Sequence, residues 1–279
     1  MKKLTLPLLG AFEKHLYDEE KSANTIRKYL RDLRFFYQWL DGKALDKAIL
    51  LAYKKHLCEL YAPKSVNSAL SSLNAFFHYM HWYELKIRTL KIQRRIFADS
   101  QKELSKSEYE RLLAAAKRSG NERLYYLMQT IASTGLRVSE LQYVTCEALR
   151  TKTATIHCKG KLRQVFLPTQ LCKMLAAFAK RHHIQKGAIF VTRTGKPLDR
   201  YAIWKMLKAL CELAHVESSK VFPHNLRHLF ARTFYSLQKD IVRLADILGH
   251  SSVETTRIYT MESGDVHRMQ IQKLGLLRY

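Results

Sequence analysis

Apolar residues in the first part of the chain have the spacing of amphipathic helices. Between Ile26 and Leu40, large apolar side chains recur every three or four positions, which places them on one helix face. The polar run Ser22–Thr25 precedes this segment and contains residue types that favour a helix start. A second segment with the same spacing follows the turn signal at Pro63. The pattern therefore predicts that residues 1–95 are helical throughout.

The second part of the chain mixes helical spacing with short runs of strand character. Two such runs, Thr153–Cys158 and Arg163–Leu167, lie on either side of the turn Lys159-Gly160-Lys161. Ala188–Thr192 is a third strand candidate, and the helical segment after it starts at a possible N-cap, Asp199. The predicted fold class is mainly α, with a small antiparallel β-sheet in the second part (α+β).

The boundary between the two parts is predicted near residue 98. The basic stretch Lys91–Ala98 has the composition of a linker, and the Ser-x-x-Glu spacing of Ser105 and Glu108 then has the form of a helix capping box. A chain of 279 residues is long for one core, because domains commonly contain about 100–200 residues. We predict two domains, 1–98 and 99–279.

The chain is strongly basic, with 48 Lys and Arg against 24 Asp and Glu and a formal net charge of +24. A polyanionic partner explains this balance, and nucleic acid is a commoner partner than an acidic membrane surface. A basic solvated surface would give the same count. The charge therefore favours nucleic acid without excluding the other readings.

Cysteine usage and the N-terminus favour a cytoplasmic protein with no membrane association. The five cysteines are scattered and contain no Cys-x-x-Cys pair, which argues against a disulfide framework and a zinc knuckle. The N-terminal apolar run is short and soon followed by acidic residues, and no stretch approaches the about 20 apolar residues of a membrane span.

Three polar segments in the second part contain residues suited to phosphate chemistry. In the first, Gly135 interrupts a helical pattern and Arg137 follows at the start of the next helix, where its guanidinium can grip a phosphate. An ion pair with the nearby Glu140 is the simpler reading of this arginine. In the second segment, His224 and Arg227 are three residues apart and share one helix face.

The third segment combines a glycine turn with a histidine and a tyrosine. Gly249 suits the position after a helix end, and Ser251 and Glu254 have the spacing of a capping box. Tyr259 follows nine residues after His250 and is predicted to lie on the capped helix. Each of the three segments is compatible with ordinary packing when considered separately.

The second part of the chain contains, in this order, TGLRVSEL, a lysine-bearing β-turn, HNLRH, and LGH followed by Tyr. Together these motifs resemble the tyrosine recombinase or integrase family, especially its compact Xer-type, phage and transposon members. The resemblance covers about residues 104–260. It implies a catalytic domain preceded by a helical core-DNA-binding domain. Carried over residue by residue, the implied catalytic set is Arg137, Lys159, His224, Arg227, His250 and Tyr259.

The lysine is the loosest assignment, because the turn in KGKLRQVFLP is one residue shorter than is usual in the family. Lys159 is preferred as the first lysine after the strand, but Lys161 or Arg163 can occupy the catalytic position. Tyr279 is a poor alternative nucleophile, because no His-Gly context accompanies it. Lys161 and Arg163 are also candidate DNA contacts.

The chemistry implied by this set requires no cofactor. Two arginines neutralise a phosphodiester, and a histidine accepts the proton of a tyrosine, whose unperturbed pKa is about 10. A lysine protonates the departing 5′-oxygen, and a covalent 3′-phosphotyrosyl link conserves the bond energy for rejoining. No nucleotide-binding loop and no metal-ligand constellation is found in the sequence.

The resemblance implies double-stranded DNA as the partner and a homo-tetramer on two DNA sites. The segment 264–279 is expected to dock on a neighbouring protomer or on its own domain. In the first domain, candidate phosphate contacts lie at helix starts. They are Thr25, Arg27, Lys28, Lys64, Ser65 and Asn67.

Two rivals remain open. A type IB topoisomerase-like enzyme uses the same phosphotyrosine chemistry, although the N-terminal helical part and the compact motif spacing favour a recombinase. A non-catalytic DNA-binding protein on the same fold is the other rival. The complete catalytic set argues against it.

Overall fold

The computed structural model describes residues 2–93, 100–158, 161–192, 194–260, 268–269 and 271–274. The chain divides into two compact units, Met1–Arg94 and Arg95–Tyr279. Residues 94–99, which include the predicted boundary, lie outside the described ranges.

The first unit is helical, as its apolar spacing predicted. The Ser22 hydroxyl accepts a hydrogen bond from the backbone N–H of Thr25 at 3.3 Å and so caps the second helix. One apolar face of every helix packs into a common core that includes Phe12, Phe36 and Phe76. The helices are α1 (Leu6–Asp18), α2 (Ala23–Leu40), α3 (Lys47–Leu60) and α4 (Pro63–Tyr79), followed by a 3₁₀ turn at Tyr83–Leu85.

Two asparagines on α4 hold the segment that leaves the first unit. The Asn67 side-chain amide donates to the carbonyl of Leu90 at 2.9 Å and accepts from its N–H at 2.7 Å. Asn74 makes the same pair of bonds with Ile87, at 2.8 and 2.9 Å. Because the two asparagines are seven residues apart, they lie on one helix face. They therefore fix the path of the chain along α4.

The second unit is mainly helical around a large apolar core. The predicted capping box is confirmed, since Ser105 and Glu108 bond reciprocally to each other's backbone N–H. Asp199 caps α9 as predicted, but the helical pattern after it divides into α9 and α10. The helices are α5 (Lys106–Arg118), α6 (Glu122–Thr134), α7 (Cys146–Thr151), α8 (Thr169–Arg181), α9 (Arg200–Ala209), α10 (Cys211–Ala214), α11 (Pro223–Gln238), α12 (Ile241–Leu248) and α13 (Val253–Thr256).

The predicted antiparallel sheet is a hairpin of two strands, β1 (Thr153–Cys158) and β2 (Lys161–Phe166), in which Cys158 pairs with Lys161. The expected third strand over 188–192 is wrong. Ala188 and Val191 make only isolated bridges, to Thr145 and Pro197 respectively. Because these two residues pair with different segments, no continuous ladder forms.

One face of the hairpin packs on the core and the other faces solvent. Ile156 and Val165 are buried, whereas Leu162 and Phe166 are exposed. Strand side chains alternate between faces, so Arg163 lies on the same inward face as Val165. This alternation directs Arg163 into the unit.

Across the described ranges, no helix has the length and apolar character needed to cross a membrane.

Candidate active site

A glycine turn after α6 packs against the end of α12 and immediately precedes the segment that contains Arg137. Gly135 has φ +67°, a conformation that side-chain-bearing residues rarely adopt. A Cβ there would lie 2.5 Å from Cδ1 of Phe230 and 2.9 Å from Cδ2 of Leu248. Both the conformation and the close packing therefore require glycine. Arg137 follows as the N-cap of a 3₁₀ helix, Val138–Tyr143, and not of an α-helix.

Glu140 is a buried carboxylate at the centre of a charge cluster. It is 2% exposed, and it accepts from the Arg137 backbone N–H at 2.8 Å and from Arg137 Nη1 at 2.9 Å. Arg163 Nη2 donates to the same carboxylate at 2.6 Å. The ion pair anticipated between Arg137 and Glu140 is present, but no local pattern indicates that Arg163 is a second partner of Glu140.

Arg227 is buried at the meeting point of three segments. It is 1% exposed and donates to the carbonyls of Gly135 at 2.5 Å and Leu248 at 2.8 Å, and to His250 Nε2 at 3.0 Å. The two carbonyls end α6 and α12, where a cation is favoured by the helix dipole. Burial and then the charge of Arg137 lower the pKa of Arg227 to about 10, while Tyr259 and Glu140 oppose this shift. Arg227 therefore remains a cation at neutral pH.

His250 is held in one tautomer by its two partners. A guanidinium can only donate, so Nε2 of His250 accepts from Arg227 and the ring proton lies on Nδ1. Nδ1 then donates to Oγ1 of the buried Thr256 at 2.8 Å. Sequence reasoning did not single out Thr256. Its only signal was its position within the segment that joins His250 to Tyr259.

The candidate nucleophile, Tyr259, lies beside His228 of α11 and beside His250 in the turn after α12. The ring centroid of Tyr259 is 4.8 Å from that of His228 and 6.1 Å from that of His250, and the tyrosine is 4% exposed. Two local predictions are wrong. Ser252 caps α13 in place of Ser251, and Tyr259 lies in a 3₁₀ turn after that helix, because α13 spans a single turn.

The site histidines are neutral at neutral pH. Desolvation, then the charge of Arg227, lowers the pKa of His224, and its ring lies 4.5 Å from the ring of His228. Burial lowers the pKa of both His228 and His250 to about 4, with a contribution from neighbouring charges. Neutral imidazoles next to a tyrosine can accept its proton. His228, which the sequence reasoning did not include in the catalytic set, lies between His224 and Tyr259.

Several predicted positions fall outside the described residues. Lys159 is one of them, and no side-chain position is described for Lys161. Most of the expected docking segment 264–279 is also outside, although Met269, Ile271 and Leu274 within it are exposed. The roles of these residues remain predictions.

The six candidate DNA contacts of the first unit divide into two groups. Lys28 donates to Asp32 Oδ2 at 2.9 Å, and the Asn67 amide is used by Leu90, so both already bond to protein groups. The others are exposed or partly exposed near the starts of α2 and α4, although Arg27 bonds locally to Asn24 at 2.7 Å and Thr25 to Ser22 at 2.8 Å. They are Thr25, Arg27, Lys64 and Ser65.

The described part of the chain contains no cluster of three or more His, Cys, Asp or Glu that can hold a metal ion.

Comparisons with known proteins identify two family regions. The phage integrase family matches residues 102–264, and the N-terminal SAM-like domain of phage integrases matches residues 9–84. A tyrosine recombinase XerD of Listeria monocytogenes is 30% identical over 86% of this chain and 88% of its own length. A tyrosine recombinase XerA of Pyrococcus furiosus is 28% identical over 99% of this chain and 96% of its own.

Solved structures give the same fold. A lambda integrase dimer bound to a COC′ core site aligns with a TM-score of 0.76 at 17% identity, covering 94% of this chain and 96% of that one. XerH recombinase in a post-cleavage complex with palindromic difH substrate aligns with a TM-score of 0.74 at 20% identity, covering 90% and 80%.

Proposed function

We propose a specific catalytic set for this chain, which belongs to the phage integrase family and is a site-specific tyrosine recombinase. The enzyme cleaves and rejoins DNA strands during DNA integration or chromosome resolution. We assign the nucleophile to Tyr259 and the binding of the scissile phosphate to Arg137 and Arg227. The observation that carries this assignment is the convergence of Arg227, His250 and Tyr259 from α11, the turn after α12 and the turn after α13.

Cleavage begins when the Tyr259 oxygen attacks the phosphorus and its proton passes to the neutral histidines. His224 is the proposed acceptor. His228 lies between the rings of His224 and Tyr259. It can orient the two rings or transfer the proton from Tyr259 to His224. His250 acts by bonding Arg227, which keeps the guanidinium directed towards the phosphate. The arginines offset the charge that develops on the non-bridging oxygens.

The leaving 5′-oxygen takes a proton from Lys159, the residue that the resemblance assigns to this role. The 3′-phosphate is then esterified to Tyr259, and a free 5′-hydroxyl has formed. Attack by a different 5′-hydroxyl reverses these steps and releases the tyrosine. Atoms and charges balance without a nucleotide, because one phosphodiester is exchanged for another. We propose that the reaction proceeds without metal or ATP.

The assembly is proposed to be a tetramer on two duplex sites. Neighbouring structures in this fold contain DNA, and one of them is a dimer on a core site. The basic charge of +24 supports phosphate contacts along a duplex. We propose direct phosphate contacts for Thr25, Arg27, Lys64 and Ser65. A cytoplasmic location follows from the nature of the substrate.

A suicide substrate tests the assignment of the nucleophile. The wild type is expected to form a covalent protein–DNA adduct on a nicked duplex in excess chelator. Tyr259→Phe should bind the same duplex with little change and form no adduct, because only the phenolic oxygen is lost. Tyr279→Phe is the matched control and should form the adduct at the wild-type rate. An adduct from Tyr259→Phe would disprove the assignment.

A further inference from the structure

We propose that Arg163 is a positioning residue that docks the lysine-bearing hairpin against the two proposed phosphate-binding arginines. The proposal rests on the proposed function, since it assigns Arg163 a task in the same reaction. The observation behind it is the set of partners that the Arg163 guanidinium has within the protein.

The Arg163 guanidinium bonds to two segments that are distant in sequence. Nη2 donates to Oε2 of Glu140 at 2.6 Å, and Nη1 donates to the carbonyl of Ile247 at 2.6 Å. Only 18% of the side chain is exposed. Both terminal nitrogens are therefore directed towards protein acceptors. The two bonds hold β2 against Glu140 on one side and against the end of α12 on the other.

The end of α12 is shaped to receive this side chain. The last carbonyls of α12 are those of Ile247 and Leu248, which accept from Arg163 and Arg227 respectively. Gly249 follows with φ +63°, and a Cβ there would lie 2.5 Å from Cδ and 2.8 Å from Nε of Arg163. The glycine thus leaves space for the Arg163 stem, in addition to adopting the conformation that ends the helix.

These bonds connect Arg163 to both proposed phosphate ligands without direct contact between the arginines. Glu140 joins Arg163 to Arg137, and the end of α12 joins Arg163 to Arg227. Arg163 itself lies in β2, two residues after Lys161, where the hairpin pairs back to β1. Lys159 precedes β2 by two positions in the sequence. A shift of Arg163 and β2 is therefore expected to alter the position of the proposed acid.

A substrate with sulfur at the bridging 5′ position separates positioning of the acid from binding of the phosphate. A thiolate is a good leaving group that needs no protonation, so it bypasses the lysine. Arg163→Ala is expected to slow adduct formation by about 10²-fold on the oxygen substrate, the scale that a misplacement of about 1 Å can cause. On the sulfur substrate its rate should return to within a few fold of wild type. Arg137→Ala should stay impaired on both substrates.

Arg163→Lys distinguishes geometry from charge. An ammonium lacks the planar fork that directs two nitrogens at Glu140 and the Ile247 carbonyl, so this variant should lose as much activity as Arg163→Ala and recover on sulfur. A phosphate ligand would behave in the opposite way, with partial activity in Arg163→Lys and no recovery of Arg163→Ala on sulfur. That result would overturn the proposal. Gln164→Ala, at the exposed neighbouring position, is the matched control and should resemble wild type.

Hydrogen exchange without DNA tests the same proposal independently of catalysis. In Arg163→Ala, the paired amides of β1 and β2 should exchange several fold faster, while the amides of α6 keep their protection. Unchanged exchange in the hairpin would overturn the positioning role, even if activity were lost. Failure of the proposed function has a different signature, because the wild type would then form no Tyr259 adduct on either substrate.

Discussion

Each unit contains a buried carboxylate with cationic partners. Comparing the two distinguishes a charge network that stabilises helix packing from one that belongs to the proposed active site. Asp32 in the first unit bonds to Lys28 at 2.9 Å and Arg31 at 3.0 Å. Glu140 in the second bonds to Arg137 at 2.9 Å and Arg163 at 2.6 Å. Each is a buried acid with two cationic partners. Burying such a charge is favourable only when it is fully paired.

The difference lies in which segments each carboxylate connects. Both cations of Asp32 come from its own helix, and its third partner is the Ser72 hydroxyl on α4 at 2.8 Å. The network therefore joins two helices that already share a core. Glu140 instead joins the turn after α6 to β2, and through Arg163 to the end of α12. In this chain, the buried charge that connects separate polar segments is the one in the proposed active site.

After loss of the nucleophile itself, the largest effect is predicted on the hairpin attached to Glu140. Lys159→Ala should slow cleavage by about 10²–10⁴-fold, the usual range for losing a general acid. The sulfur-bridged substrate should restore its rate, because a thiolate leaves without a proton. Lys161→Ala should lose much less activity. Recovery of Lys161→Ala on sulfur, in place of Lys159→Ala, would move the acid by two residues along the shortened turn.

Amide replacements of the two carboxylates should affect different properties, the cleavage rate for Glu140 and the stability of the first unit for Asp32. Glu140→Gln is expected to reduce cleavage by about 10²-fold, since both arginines lose their common anionic partner and shift. Asp32→Asn should leave cleavage of bound DNA unchanged and lower the free energy of unfolding of the first unit by about 1–3 kcal/mol. Rates of adduct formation at saturating DNA, together with urea unfolding of both variants, measure this. Equal losses of cleavage would mean that the two networks do not differ in role.

The sequence predicts those parts of the fold that depend on local pattern. The sequence predicts helix starts at Ser105, at Asp199 and within the run Ser22–Thr25, because a side chain and a backbone N–H three residues away form each cap. The pair Arg137 and Glu140 was anticipated for the same reason. The prediction that Tyr259 lies on the helix capped by Ser251 is wrong, because the turn that contains Tyr259 packs against Ala231, Leu244 and Leu248 from distant segments.

The parts that could not be predicted depend on contacts between distant segments. Arg163 meets Glu140 across 23 positions and Ile247 across 84, and no local spacing encodes such a contact. His228 and Thr256 were also missed, because a histidine and a threonine on helices usually belong to packing. In the first unit, local sequence can suggest a ligand contact where the structure shows a bond within the protein. Asn67 looked suited to phosphate, yet its amide bonds to the Leu90 backbone.

Removing the Thr256 hydroxyl should have a moderate effect through His250. Thr256→Val keeps the shape but leaves Nδ1–H of His250 without its acceptor, so the ring loses its fixed tautomer and its bond to Arg227. One lost buried hydrogen bond corresponds to about 10-fold in rate. Thr256→Ser should recover most of it, and Thr255→Val, at the exposed neighbouring position, should match wild type. Equal activity of Thr256→Val and wild type would exclude a positioning role.

The smallest effects are predicted for exposed cations of the first unit. Arg27→Ala and Lys64→Ala should each weaken duplex binding a few fold, because both residues are exposed at helix starts. Each should also reduce the slope of log affinity against log salt by about 0.9, the contribution of one neutralised phosphate. Binding measured at several salt concentrations tests this.

Asn67→Ala supplies the contrast within the same helix, because its amide holds the Leu90 backbone and carries no charge. Its salt slope should equal that of wild type, while its free energy of unfolding should fall by about 1–3 kcal/mol, since two backbone groups lose their partner. Unchanged slopes in both cation variants would remove these residues from the DNA interface. The phosphate contacts of the first unit would then have to come from other cations on its surface.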